Sequence, residues 1–317
     1  MNISKADSRR RSRSAGSKRP TDTLKRFGLI QSVKFADLDC EHEWLIEGIL
    51  VKGQAGVIGG PAKCLKTGFI IDMAISLGSE TPFLGKFHVP TACRVAVMSG
   101  ESGKSSIQDT ANRIAETKGL SLRNISGVYW GFTLPILSDE KDLEMLGECL
   151  RWKKIQVVFI DPLYLCLCGG GKAVSPTNLY QVGPILKRLT ETCLKAGATP
   201  VLVHHTTKAA AKPSENASVS LYDLAFSGVG EFFRQWVLLN KREEFTHCDG
   251  FHQLGMSVGG SAGHSGKWNI DVREGVLDND FRGRKWDVSV WNGPAHGEEE
   301  PENMSGGNLT ASSILSE

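Results

Sequence analysis

At 317 residues, with 40% hydrophobic residues, the chain is long enough for one large domain or two small ones with a sizeable core. No apolar stretch reaches the roughly 18 residues of a membrane span, and the N-terminus has no apolar signal core, so a cytoplasmic location without membrane attachment is expected. A formal net charge of +2 excludes a bulk electrostatic argument for nucleic acid.

The charge is unevenly spread. Residues 1–26 carry nine Lys/Arg against Asp7 and Asp22, whereas the stretch from Pro294 onward carries five Glu and no Lys or Arg. Both ends are poor in large apolar residues, so a basic disordered arm over 1–28 and an acidic disordered tail over 294–317 are expected around a single domain at 29–293. The arm either touches nucleic acid or another subunit's acidic tail, or is a solvated tail without a partner. The eight cysteines form no C-x-x-C pair, and no His lies at zinc spacing from Cys166 and Cys168; buried, reduced thiols are expected.

In chain order, Leu50–Ile58 reads as a strand. The run that follows, Gly59-Gly60-Pro61-Ala62-Lys63-Cys64-Leu65-Lys66-Thr67, places Gly60, Lys66 and Thr67 at the spacings of a P-loop, G-x-x-x-x-G-K-[ST]. Thr67–Leu77 then reads as a helix, with Phe69, Ile70, Met73, Ala74 and Leu77 at helical spacing. A loop between a buried strand and a helix N-terminus presents backbone N–H groups to nucleotide phosphates. Lys66 is placed to reach the β- and γ-phosphates and Thr67 to bind Mg²⁺ through its hydroxyl. The glycine expected before the lysine is Leu65, whose Cβ either slows turnover or is accommodated. Lys63 is either a second cation for the phosphates or a solvent-facing lysine.

Val95–Met98 is a short buried strand that runs into Ser99-Gly100-Glu101; Ser106–Ala115 and Leu143–Arg151 are helix candidates. Ile155–Ile160 is apolar except for Gln156 and ends in Asp161-Pro162. An Asp at the end of a buried strand beside a P-loop can hold Mg²⁺; otherwise it caps a turn. Glu101 can polarise the water that attacks a γ-phosphate, or be simply solvated. Leu179–Ala196 is a long amphipathic helix in which Pro184 is tolerable only near the first turn. Val201–Val203 is a further buried strand, closed by His204-His205, where a side chain could sense the γ-phosphate.

The polar, Ala/Ser-rich segment 206–226 reads as a long mobile loop. Beyond it, 236–240, 251–258, 267–273 and 286–291 read as short strands, and the glycine-rich turn near 259–266 as a hairpin connection rather than a second phosphate loop. The expected fold is α/β: a mostly parallel sheet covered on both faces and extended by antiparallel C-terminal strands.

The order strand–P-loop–helix, strand–Glu101, strand–Asp161, strand–His204-His205-Thr206-Thr207-Lys208 resembles RecA-like ATPases, in particular the plasmid replicative helicase RepA and its AAA-family relatives, over roughly residues 40–275. The resemblance implies ATP and Mg²⁺ as ligands, with Lys66 and Thr67 on phosphate and metal, Glu101 on water, Asp161 on metal and His205 as the γ-phosphate sensor. It further implies a homo-oligomeric ring in which a basic residue of one subunit completes the next subunit's site. Arg242 and its neighbour Lys241 are the candidates here, with Arg234 behind them; a surface pair is the alternative.

The leading expectation is an ATPase acting on DNA. The segment 206–226 offers Lys208 and Lys212 but no aromatic before Tyr222, so single-stranded DNA as a partner rests on the resemblance. The alternative is a nucleotide-binding switch or scaffold that hydrolyses little because of Leu65. A small-molecule kinase fits less well, since no Arg-rich lid follows Asp161.

Overall fold

The computed structural model describes residues 27–167, 178–207, 219–226, 228–245 and 249–292. The expected arm and tail therefore lie almost wholly outside the described residues, as do Lys208 and Lys212. The chain divides between Glu41 and His42 into two compact units. The described part of the first holds one short helix, α1 (Ser32–Ala36). The second holds all the other elements.

Its chain order is β1 (Trp44–Ile46), β2 (Leu50–Val51), β3 (Gly56–Gly60), α2 (Lys66–Ser79), β4 (Val95–Ser99), α3 (Lys104–Thr117), β5 (Val128–Gly131), α4 (Glu140–Lys153), β6 (Val157–Asp161), α5 (Leu163–Leu167), α6 (Leu179–Lys195), β7 (Thr199–His205), α7 (Val229–Phe232), β8 (Gln235–Lys241), β9 (Phe251–Gly260), β10 (Ser265–Arg273) and β11 (Asp287–Asn292). A nine-stranded sheet runs β11-β10-β9-β8-β3-β7-β6-β4-β5. From β5 to β8 all pairs are parallel, and from β8 to β11 all are antiparallel.

The parallel half is buried on both faces, as its near-continuous apolar strands require. In β6, Val157 and Phe159 face the core shared with α2 and α3, while Val158 and Ile160 face the core shared with α4 and α6. Eleven of the fourteen residues of α2 are buried, which makes it a central helix and not a surface one. By contrast α4 is a surface helix with its ends matched to the helix dipole: Asp139 caps it by accepting from Lys141 N, Glu140 and Asp142 sit in its first turn, and Arg151 and Lys153 in its last.

Three sequence expectations change. Leu50–Ile58 is not one strand. A turn at Lys52-Gly53 separates the β1–β2 hairpin from β3, and the Gln235 side chain fixes it by accepting from Val51 N (2.8 Å) and donating to Val51 O (2.9 Å) and Gln54 O (2.6 Å). Pro184 lies in the second turn of α6, one turn deeper than expected. The carbonyl it leaves without its helical N–H is that of Tyr180, an exposed residue, so the loss falls where water can replace the bond. Finally, Val128–Gly131 adds an edge strand, β5, that no apolar run announces. The turn at 260–264 is a hairpin connection, as read.

Candidate functional site

Because β3 is flanked by β7 and β8 in parallel register, the C-terminal ends of β3, β7, β6 and β4 open at one edge of the sheet. That edge is where an α/β sheet leaves a crevice for ligands. It brings Gly60, His205, Asp161 and, just past β4, Glu101 together around the P-loop.

The loop folds tightly. A Cβ on Gly60 would lie 2.8 Å from Cys64 Sγ and 2.8 Å from Leu239 O, so only glycine fits there. Leu65 adopts φ 60° and ψ 22°, the left-handed conformation that glycine takes freely and other residues at a cost of about 1–2 kcal/mol. Its side chain packs against the core under α2, which offsets part of that cost. Lys63 is also left-handed, at φ 58°, and exposed at the cleft.

Lys66 is buried, and its ammonium turns back on the loop, donating to Gly60 O (2.9 Å) and Pro61 O (2.6 Å). Thr67 Oγ1 donates to Asp161 Oδ2 at 2.7 Å, so the hydroxyl and carboxylate meet at the helix N-terminus. These are hard oxygen donors of the kind Mg²⁺ takes together with substrate phosphates and water, so the residues fit that ion. Burial raises the Asp161 pKa above its ordinary value; the Thr67 hydrogen bond opposes this, the Glu101 charge adds to it, and the Lys66 charge opposes it. Burial likewise raises the Cys64 thiol, against the charges of Lys66 and Lys241. Lys241 is therefore close to the P-loop of its own chain.

The adjacent histidines separate. His204 is buried with Nε2 2.6 Å from Ala225 O, and burial pushes its pKa down to about 4. A neutral imidazole donating from Nε2 to that carbonyl anchors 219–226 against β7. His205 is half-buried and lines the cleft; burial and the Lys66 charge lower its pKa while Glu101 opposes. Glu101 accepts a hydrogen bond from the Tyr164 hydroxyl.

Arg242 lies elsewhere. Its guanidinium pairs with Asp271 on β10, donates to Leu254 O (3.2 Å) and covers the Trp291 ring at 5.1 Å. Arg234 precedes β8, at the opposite end of that strand from Lys241, about 23 Å away at ~3.3 Å per residue.

The cleft has a volume of about 390 Å³, and its far wall escaped the sequence reading. There His252 stacks on Phe245 with centroids 4.2 Å apart. His252 Nε2 lies 3.2 Å from Glu274 Oε2, while Arg113 (3.2 Å) and Arg284 donate to Oε1. Trp286 closes the wall, its Nε1 donating to Asp72 of α2 at 2.8 Å. The partners lie up to 214 residues apart, so no local pattern signals them.

A parallel core with a P-loop at its switch point, extended by antiparallel strands, is that of a RecA-like P-loop ATPase. The sequence profile of the AAA domain family matches residues 22–211, more than half of the chain, and the chain belongs to that family. Among solved structures, it is similar to a KaiC-like protein from the hyperthermophilic archaeon Pyrococcus horikoshii, at 13% identity, covering 73% of this chain and 90% of that one, with a TM-score of 0.50. That likeness is one of fold. No curated protein sequence matches the chain.

Proposed function

We propose that the protein binds and hydrolyses ATP in a Mg²⁺-dependent reaction. The observation that carries this is the Thr67–Asp161 hydrogen bond at the mouth of a cleft that Lys66 and Glu101 also line. Gly59 to Thr67 would wrap the phosphates, with Lys66 leaving its two carbonyl partners for the β- and γ-oxygens. Mg²⁺, held by Thr67 and Asp161, supplies positive charge to those oxygens when bound. A water activated by Glu101 attacks the γ-phosphorus in line; the bond to the bridging oxygen breaks, ADP leaves, and the water's proton passes to Glu101. His205 would read the γ-phosphate and pass its presence to the segment after β7.

On this reading the ATPase domain spans 29–293 between a basic arm (1–28) and an acidic tail (294–317). The protein works in the cytoplasm as a homo-oligomeric ring, on single-stranded DNA as a helicase-type motor. For the cation completing a neighbour's site, Arg242 is disfavoured because it already holds Asp271 and lies under Trp291, and Lys241 because it sits by the P-loop of its own chain.

A second reading keeps its place on one observation. Leu65 holds a strained left-handed turn, and Lys66 is satisfied by the loop itself, as in a site that retains nucleotide as a switch and turns it over little. Hydrolysis measured with and without Mg²⁺ and single-stranded DNA, beside Lys66→Ala, separates the two. Turnover that DNA stimulates and Lys66→Ala abolishes supports the motor; tight ATP binding without turnover hands the lead to the switch. Acidification should weaken Mg²⁺ binding at a higher pH than an ordinary carboxylate would, because the raised Asp161 pKa protonates the ligand early. A Mg²⁺ titration of the ATP-bound protein across pH, with Asp161→Asn as control, checks this.

A further inference from the structure

We infer that Tyr164 is the positioning residue for Glu101: its hydroxyl fixes the carboxylate so that one oxygen stays free to meet the attacking water. This rests on the hydrolysis reading above.

Tyr164 lies in α5, three residues beyond Asp161. That short helix starts where β6 ends, and the exits of β4 and β6 are tied together by Gly100 N donating to Asp161 O at 2.8 Å. The placement of Tyr164 is therefore fixed relative to the P-loop by the strand that carries the candidate metal ligand.

Glu101 is the opposite case. It is exposed, on the Ser99–Gly103 turn, with glycines at 100 and 103. Such a side chain by itself samples several rotamers, which is poor geometry for a general base. The Tyr164 hydroxyl donates to Oε1, leaving Oε2 available. The Tyr164 ring also lies 5.9 Å from the His205 ring, with the planes at 48°. Tyr164 thus stands between the strand exit that carries the base and the one that carries the candidate sensor.

The test is a double-mutant cycle on ATP hydrolysis: wild type, Tyr164→Phe, Glu101→Gln and the double variant, with the Kd for ATP measured separately by calorimetry. Phenylalanine keeps the ring and removes only the hydroxyl. Tyr164→Phe should lower kcat about tenfold, in line with the loss that small misplacements of a catalytic group produce, while KM and Kd stay within about twofold. In the Glu101→Gln background it should have no further effect, because the group it positions is already inactive.

Equal losses in both backgrounds would mean that Tyr164 does not act through Glu101, and the assignment falls. It falls equally if kcat is unchanged, if kcat rises because the hydroxyl holds the base off, or if Kd worsens in step with kcat. Wild-type protein that binds ATP and never turns it over sinks the hydrolysis reading and this assignment with it. Wild-type turnover with an unaffected Tyr164→Phe sinks this assignment alone.

Discussion

On the P-loop side of the cleft, Lys66 holds partners it can leave, two loop carbonyls, and Glu101 keeps one carboxylate oxygen clear of its tyrosine partner. On the side built by the antiparallel strands, Glu274 is held by Arg113, Arg284 and His252. Both walls are rich in charge, yet the charge does different things. Groups that must meet a ligand are left with exchangeable bonds, whereas groups that must hold β9, β10 and α3 together are bound to one another. A buried cation whose only partner is removed is costly; a cation that has merely changed acceptors is not.

That contrast is sharpest in stability. Glu274→Ala removes the carboxylate on which Arg113, Arg284 and His252 converge; Arg113 keeps Asp109, Thr110 and Lys285 O, so the cost should be about 1.5–3 kcal/mol in urea denaturation. Lys66→Ala should cost less than about 1 kcal/mol, since it removes a charge whose hydrogen bonds are to exchangeable carbonyls. Equal losses would erase the distinction. Acid should act on the same wall. Burial tends to raise the Glu274 pKa, but the His252 hydrogen bond and the charges of Arg284 and Arg113 outweigh it. Its contribution is therefore present above the unfolded value of 4.5 and lost as pH falls through the lower folded value.

His204 gives a second stability effect, closer to the P-loop. Its pKa falls from 6.5 to about 4 on folding, so the unfolded chain binds more protons in that window. Stability should then fall as pH drops from 6.5 towards 4, by up to about 3 kcal/mol. Urea midpoints at a series of pH values check this. His204→Asn should flatten the dependence; a profile that keeps its slope in the variant would assign it to another group.

Next in size, Lys66→Ala should weaken ATP binding about a hundredfold, near 2.7 kcal/mol, with the fold intact by circular dichroism. The smallest effect concerns the turn itself. Leu65→Ala and Leu65→Gly both lose the packing, but only alanine retains the left-handed cost, so the glycine variant should be the more stable by about 1 kcal/mol. Should alanine be equal or better, strain in the loop is not what distinguishes this P-loop.

The legible part of the molecule was the part made of local pattern. The buried strands β3, β6 and β7 show as unbroken apolar runs, and the order of Lys66, Glu101, Asp161 and His204-His205 along the chain carried the family. What stayed hidden was tertiary. Tyr164 meets Glu101 across 63 residues, and Arg113 meets Glu274 across 161. The edge strand β5 is four half-buried residues without alternation, and the β1–β2 turn depends on Gln235, 184 residues from Val51. Even the histidine pair, visible as a pair, does not announce that one ring anchors a backbone carbonyl while the other faces the cleft.

The family match ends at residue 211, yet β8 comes later in the chain and pairs with β3 along Gly56–Gly59. A fragment cut at the end of the match would keep every residue from Gly59 to His205 and still leave its phosphate-loop strand as an uncovered sheet edge. Such an edge, apolar and unprotected by charge or proline, is a template for pairing with other chains. A shortened version would accordingly fail in the test tube by precipitating before its chemistry could be assayed.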